Sequence, residues 1–227
     1  MNNDRPVGPV ESDEASTLTS LLEDAFRQGS LLGPGNNYAA TGWTSAVSKV
    51  IVDRGHCLGY KVFGKKPKQN GVRFDGSEFL YDLLWARTDL FSVGRRVRPK
   101  ALTDVGLVCE CQWQERQPEV LRLLVEDFLK LTLSRDTAIR LLVFIDPCCW
   151  RATEEARTWD GGCVTSFKEC CELLQRLSPP HTGPYAAIAM RHDRSDREAP
   201  WHAKKHCWDT NNMPSGKGPA ATSTTAV

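Results

Sequence analysis

The sequence of 227 residues has no apolar run as long as the roughly 18 residues that cross a bilayer as a helix. Its opening stretch, MNNDRPVGPVESDEAS, lacks both the basic and the apolar segment of a secretory signal. Neither sign of charge dominates, since the formal net charge at pH 7 is +1. These features predict a soluble, cytoplasmic protein with no membrane partner. Net charge alone favours no ligand class, so any electrostatic recognition has to be local.

The cysteines show neither the C-x-x-C spacing of zinc sites nor the turn positions of a secreted disulfide framework. There are nine, an odd number, and several stand in apolar segments, such as the adjacent pairs Cys148-Cys149 and Cys170-Cys171. They are therefore expected to be mostly buried, reduced thiols.

The composition, 41% hydrophobic and 25% charged, is that of an ordinary globular domain. Both ends differ from this: residues 1–16 are polar with two prolines, and residues 193–227 are charged and then rich in Pro, Gly, Ser, Thr and Ala. We expect a disordered N-terminus over 1–16, one domain over 17–192 and a disordered C-terminal tail over 193–227. His202 and His206 stand four residues apart in that tail, where a solvated segment is favoured over a metal site.

Apolar periodicity predicts two opening helices, in STLTSLLEDAFRQG and GWTSAVSKVIVDRG, followed by a short strand at 60–63. Alternation predicts a strand in SEFLYDLLWAR, with Phe79, Tyr81, Leu83 and Trp85 on its apolar face. The segments DVGLVCECQW, AIRLLVFID and PYAAIAM are typical of buried strands.

Two further helices are predicted between these buried strands. The first follows Pro118 and carries an apolar stripe, with Glu126 and Lys130 paired four residues apart; the second is TSFKECCELLQRLSPP, ended by two prolines. The order of elements predicts an α/β fold with a central mixed β-sheet flanked by helices.

The strand LVCECQW contains Glu110, although a buried carboxylate costs several kcal/mol unless it is paired or coordinated. Gln112 shares its face, because residues two apart on a strand point the same way. If the strand carrying Asp82 is its neighbour, the two carboxylates approach each other and repel unless a proton or a cation lies between them. A hard divalent cation such as Mg²⁺ or Mn²⁺ suits two carboxylates that leave room for phosphate oxygens.

An acid at one strand end, a strand with the pattern apolar-apolar-x-Glu-x-Gln and a following helix together resemble the PD-(D/E)XK nuclease-like superfamily. The resemblance covers residues 43–190. More narrowly, EFLYDLLW, LVCECQW and VEDFLKLTLSRDTAIRLLVFI resemble bacterial members. It implies a restriction endonuclease-like fold and metal-dependent phosphodiester hydrolysis on DNA, with Asp82 and Glu110 as ligands for Mg²⁺ or Mn²⁺.

The chain departs from this family at the third motif position, where most members have Lys. Gln112 orients water only through hydrogen bonds, and Lys130 on the following helix is the candidate replacement cation. The alternative interpretation of Lys130 is a solvated residue paired with Glu126. The missing Lys keeps open a catalytically degenerate nuclease fold that binds nucleic acid or a protein partner, and also a structural role.

Two basic clusters flank Asp82 in the sequence, and we expect them to contact the DNA backbone. The alternative is that they are ordinary solvated turns. Their members are Lys65, Lys66, Lys68, Arg95, Arg96, Arg98 and Lys100.

Overall fold

The structure, a computed structural model, describes residues 12–27, 40–65, 68–69, 72–77, 80–87, 105–113, 119–134, 137–149, 164–192 and 201–212. Its helices are α1 (Ser12–Arg27), α2 (Ala40–Cys57), α3 (Glu119–Thr132) and α4 (Phe167–Leu177). Its strands are β1 (Lys61–Gly64), β2 (Lys68–Gln69), β3 (Val72–Arg73), β4 (Gly76–Ser77), β5 (Leu83–Ala86), β6 (Val105–Gln112), β7 (Thr137–Ile145), β8 (Pro184–His192) and β9 (Trp201–Asp209).

Seven strands form one mixed sheet in the order β4-β1-β5-β6-β7-β8-β9, and β2 pairs with β3 separately. The three central strands β6, β7 and β8 are parallel, while β5 and β9 are antiparallel to their inner neighbours. β6 and β7 are buried almost throughout, as expected of parallel strands covered on both faces. The predicted α/β class, with a mixed sheet flanked by helices, is confirmed.

Helices α1 and α2 cover one face of the sheet, and α3 and α4 cover the other. On the first face, the indole of Trp85 donates to the carbonyl of Ile51 in α2 at 3.1 Å, and Lys205 of β9 contacts Ser16 of α1. On the second face, Phe128 of α3 packs on Tyr185 with ring centres 5.5 Å apart. Glu110 lies in the same row of the sheet as Leu142 of β7, so it faces the α3 side.

The strand predicted over 77–87 is shorter than expected. Only Leu83–Ala86 form β5, residues 80–82 form a bend, and Gly76–Ser77 form β4 beside β1. All four residues of β5 are buried, so both of its faces are covered and the apolar alternation does not mark a one-sided strand. Asp82 therefore lies immediately before a strand rather than within one.

The prediction of a disordered tail from residue 193 is wrong for Trp201–Asp209. This segment is β9, which pairs with β8 along its whole length, and Trp208 stacks on Tyr185 at a centroid distance of 5.4 Å. An edge strand keeps charged side chains at exposed positions, so its composition resembles that of a tail. Residues 193–200 and 213–227 lie outside the described residues.

The predicted disordered N-terminus also needs correction, because α1 begins at Ser12 rather than at the expected Ser16. Glu14, within the stretch expected to be disordered, is 8% exposed. Its carboxylate accepts two hydrogen bonds from Arg54 of α2, at 2.7 and 2.6 Å. An ion pair with two hydrogen bonds of this kind fixes α1 to α2. Residues 1–11 lie outside the described residues.

In the part of the chain that the structure describes, eight cysteines are free thiols. Cys109, Cys170 and Cys171 are buried as predicted, while Cys57 and Cys148 are exposed. No helix within the described ranges is both long and apolar enough to cross a membrane.

Candidate active site where β5, β6 and α3 meet

Asp82 and Glu110 lie side by side on the α3 face of the sheet. The β5–β6 register pairs Leu83 with Cys109 and Leu84 with Val108, and its continuation by one residue places Asp82 opposite Glu110. The backbone N–H of Cys111 donates to Asp82 Oδ2 at 2.8 Å, which holds the Asp82 side chain against β6. Side chains directly opposite each other in antiparallel strands are direct neighbours. The two acids that the sequence analysis selected are thus brought together.

Glu110 is the most deeply buried carboxylate of this site, with 1% of its side chain exposed. Its Oε2 lies 3.4 Å from Lys130 Nζ, whereas its Oε1 is buried and has no hydrogen-bond partner among the described residues. Burial, together with the negative charge of Asp82, raises the pKa of Glu110 to about 8, although Lys130 acts in the opposite direction. One oxygen of Glu110 therefore lacks the compensation that a buried carboxylate needs.

Asp127 on α3 completes the site, and the sequence analysis missed its role. Its Oδ1 forms an ion pair with Lys130 Nζ, and its Oδ2 accepts a hydrogen bond from Gln112 Nε2 at 3.2 Å. Burial raises the pKa of Asp127, against the effect of the Lys130 hydrogen bond. A signal was present in the sequence, because Asp127 falls between Leu124 and Leu131 at a position where the helical stripe calls for an apolar residue.

Lys130 pairs with Asp127 and Glu110 rather than with Glu126, the partner in the alternative interpretation. The predicted pair between Glu126 and Lys130 is absent among the described ion pairs, since Glu126 bonds to Arg122 and Lys130 bonds to Asp127 and Glu110. Burial works to lower the pKa of Lys130, but the hydrogen bond to Asp127 and the charge of Glu110 outweigh it and raise that pKa.

Lys65, which is predicted to contact DNA, forms an ion pair with Asp82, with Nζ 2.6 Å from Oδ1. The β1–β5 register pairs Gly64 with Leu83, so its continuation places Lys65 beside Asp82. Burial works to lower the pKa of Lys65, but the hydrogen bond to Asp82 raises it overall. The backbone of Lys68 lies in β2 and its side chain is not described. The other five basic residues lie outside the described residues; they are Lys66, Arg95, Arg96, Arg98 and Lys100.

Within the described ranges, no group of three or more His, Cys, Asp or Glu is arranged to hold a metal ion. The pair Asp82 and Glu110 nevertheless fits a hard cation that uses one or two protein carboxylates and keeps several waters. Glu110 Oε1 has no hydrogen-bond partner among the described residues, and Asp82 Oδ1 pairs with Lys65, whose side chain is 43% exposed. A cation that binds Asp82 Oδ1 would compete with Lys65 for this oxygen.

A further buried carboxylate, Asp146, lies at the end of β7, and its Oδ2 has an ion-pair contact but no hydrogen bond among the described residues. Its Oδ1 accepts from the backbone N–H of Cys148 at 3.1 Å, and its Oδ2 lies 2.8 Å from Lys204 Nζ. Asp146 thus begins the 3₁₀ turn at Pro147–Cys149 and joins it to β9. His202 and His206 also lie on β9, where the sequence analysis expected a tail.

Scans with protein-family models and searches of curated proteins and of solved structures found no match to this chain.

Proposed function

We propose that Asp82 and Glu110 bind Mg²⁺ or Mn²⁺ and that the protein hydrolyses phosphodiester bonds of DNA on a restriction endonuclease-like fold. The observation that carries this proposal is the state of Glu110. Its carboxylate is buried beside Asp82 and one of its oxygens has no described partner. A divalent cation held by the two acids would supply the missing compensation.

The side chains around Asp82 and Glu110 are of the types that phosphodiester hydrolysis uses. When bound, a divalent cation polarises the phosphate and lowers the pKa of water. Gln112, held by Asp127, orients the attacking water through hydrogen bonds. Lys130, held by Asp127 and Glu110, would place a positive charge near a phosphate bound at the two acids.

The test is cleavage of single-stranded, double-stranded and branched DNA by the purified protein with Mg²⁺ or Mn²⁺. Asp82→Ala and Glu110→Ala are each expected to lower kcat by about 10²-fold or more, as loss of a catalytic electrostatic group does. Glu126→Gln is the matched control, because Glu126 lies on α3 and pairs with the exposed Arg122. Absence of cleavage with either cation, or variants that cut as fast as wild type, would overturn the proposal.

A second candidate function is nucleic-acid binding without cleavage, as in a degenerate nuclease fold. The observation that favours it is the set of contacts already made by the acids: both Asp82 oxygens have partners, and Lys130 contacts Glu110. Fluorescence anisotropy with labelled DNA in the presence of a chelator distinguishes the two functions. Binding that weakens steeply with salt, needs no metal and leads to no cleavage supports the second.

A further inference from the structure

The ammonium group of Lys65 contacts one of the two oxygens of Asp82, a residue proposed above as a metal ligand. Lys65 Nζ lies 2.6 Å from Oδ1, while Oδ2 accepts the backbone N–H of Cys111 at 2.8 Å. The N–H of Cys111 belongs to the backbone of β6 and stays in place, whereas the Lys65 ammonium group lies at the end of a side chain that can change rotamer. A cation that approaches Asp82 therefore meets Lys65 at the exchangeable oxygen.

Lys65 and Lys130 differ in how firmly they are held. Lys130 lies on α3 between two acids, Asp127 and Glu110. Lys65 follows the end of β1, its side chain is 43% exposed, and its ammonium group pairs with Asp82. Lys65 carries its charge at the end of a flexible four-carbon stem that is partly exposed, so its ammonium group can move from Asp82 into water.

We propose that Lys65 is a built-in counter-ion of Asp82 and that a divalent cation binds by displacing it. This inference rests on the proposed metal site and adds its regulation: the resident amine lowers the affinity of the site for metal. In the metal-free protein, Lys65 balances part of the charge of the row formed by Asp82 and Glu110. A bound divalent cation does so in its place.

The experiment is Mn²⁺ binding measured by electron paramagnetic resonance and by calorimetry, a readout independent of DNA cleavage. Lys65→Met is expected to lower the Kd for Mn²⁺ by about 10-fold, since the competing charge is gone. Lys65→Arg keeps a cation there and is expected to bind no tighter than wild type. Lys49→Met is the control, because it removes a Lys–Asp pair of similar length, 2.7 Å, on α2, where both side chains are more exposed than those of Lys65 and Asp82.

Each outcome separates this inference from the proposed function. If Lys65→Met binds Mn²⁺ no tighter than wild type, or if Lys49→Met gains as much, the counter-ion role is wrong. If neither wild type nor Lys65→Met binds Mn²⁺, the metal site fails and the inference fails with it. If Lys65→Met binds more tightly, Glu110→Gln abolishes the gain and no DNA is cut, the inference stands and the nuclease proposal fails.

Discussion

At the scale of single residues, Glu110 shows how a costly side chain is accommodated. A carboxylate with 1% exposure loses nearly all of its hydration, and Lys130 at 3.4 Å compensates only one of its two oxygens. The neighbouring charge of Asp82 adds to the cost, and together burial and repulsion raise the pKa of Glu110 to about 8. Without a cation, this residue destabilises the fold whenever it is ionised.

The expected consequence is a pH-dependent stability that Glu110→Gln removes. The folded state binds the Glu110 proton more tightly than the unfolded chain, whose pKa stays near 4.5. This contribution is therefore complete below about pH 4.5 and is lost as the pH rises through about 8. We expect the free energy of unfolding of Glu110→Gln, measured in chelator, to increase relative to that of wild type as the pH rises. Between mildly acidic and high pH this difference should change by about 1–3 kcal/mol in favour of the variant.

Urea unfolding across this pH range measures the effect. Glu172→Gln is the control, since it removes a carboxylate that is 52% exposed on α4 and leaves Glu110 in place. A Glu110→Gln difference that stays constant between mildly acidic and alkaline pH would contradict the account of Glu110.

The candidate residues divide by whether their contacts are local. Glu110 and Asp82 were selected because a carboxylate in or beside an apolar strand is costly, which is visible in the sequence alone. The partner of Lys130 is not visible in the sequence. Asp127, three residues away, and Glu126, four residues away, can both reach Lys130 on a helix. Packing of α3 on β6 decides between them, because it buries the side of the helix that carries Asp127.

At the scale of elements, the stability of helix α4 depends on the hydrogen bonds of its first turn. Ser166 is its N-cap and accepts from the backbone N–H of Glu169, whose carboxylate in turn accepts from the N–H of Ser166. This reciprocal capping box satisfies N–H groups that have no partner within the helix. α4 packs its buried residues Cys170, Cys171 and Leu174 toward the sheet, so its start affects the same layer as α3.

Ser166→Ala is accordingly expected to lower the free energy of unfolding by about 1 kcal/mol, because the cap acceptor is lost. Ser166→Asp keeps an acceptor and should retain most of the stability. Denaturant unfolding of the three proteins measures this. Equal midpoints for Ser166→Ala and wild type would show that the cap contributes nothing measurable.

At the scale of the whole molecule, β9 joins parts of the chain that are far apart in sequence. Trp208 lies on Tyr185 of β8, packs near Phe128 of α3 with ring centres 6.2 Å apart, and donates to Ser178 Oγ at 2.9 Å. Lys204 reaches Asp146 at the end of β7. β9 is thus part of the domain rather than an appendage.

Trp208→Ala is expected to cost about 3–5 kcal/mol, since a large aromatic is removed from a packed cluster. For a domain of this size the thermal midpoint should fall by roughly 2–4 °C for each kcal/mol. Trp208→Phe, which keeps ring stacking but loses the indole N–H donor, should lose less. Thermal unfolding monitored by circular dichroism measures these midpoints. If Trp208→Ala unfolds at the same temperature as wild type, β9 is not an integral part of the domain.

The sequence by itself determined the α/β class, the buried central strands and the amphipathic helix α3. Each of these is encoded by periodicity within one segment, because burial on one face or on both selects the side chains directly. It also singled out Asp82 and Glu110, since an acid next to an apolar run is locally conspicuous.

Only the tertiary structure decided that Lys65 pairs with Asp82 and that Asp127 contacts both Gln112 and Lys130. It also decided that β9 pairs with β8 as the last strand of the sheet. These contacts depend on strand order and register, which bring together residues distant in the chain and leave no local pattern. The physical reason is that side-chain periodicity records whether a residue is buried, whereas the partner it meets there is set by the packing of other segments.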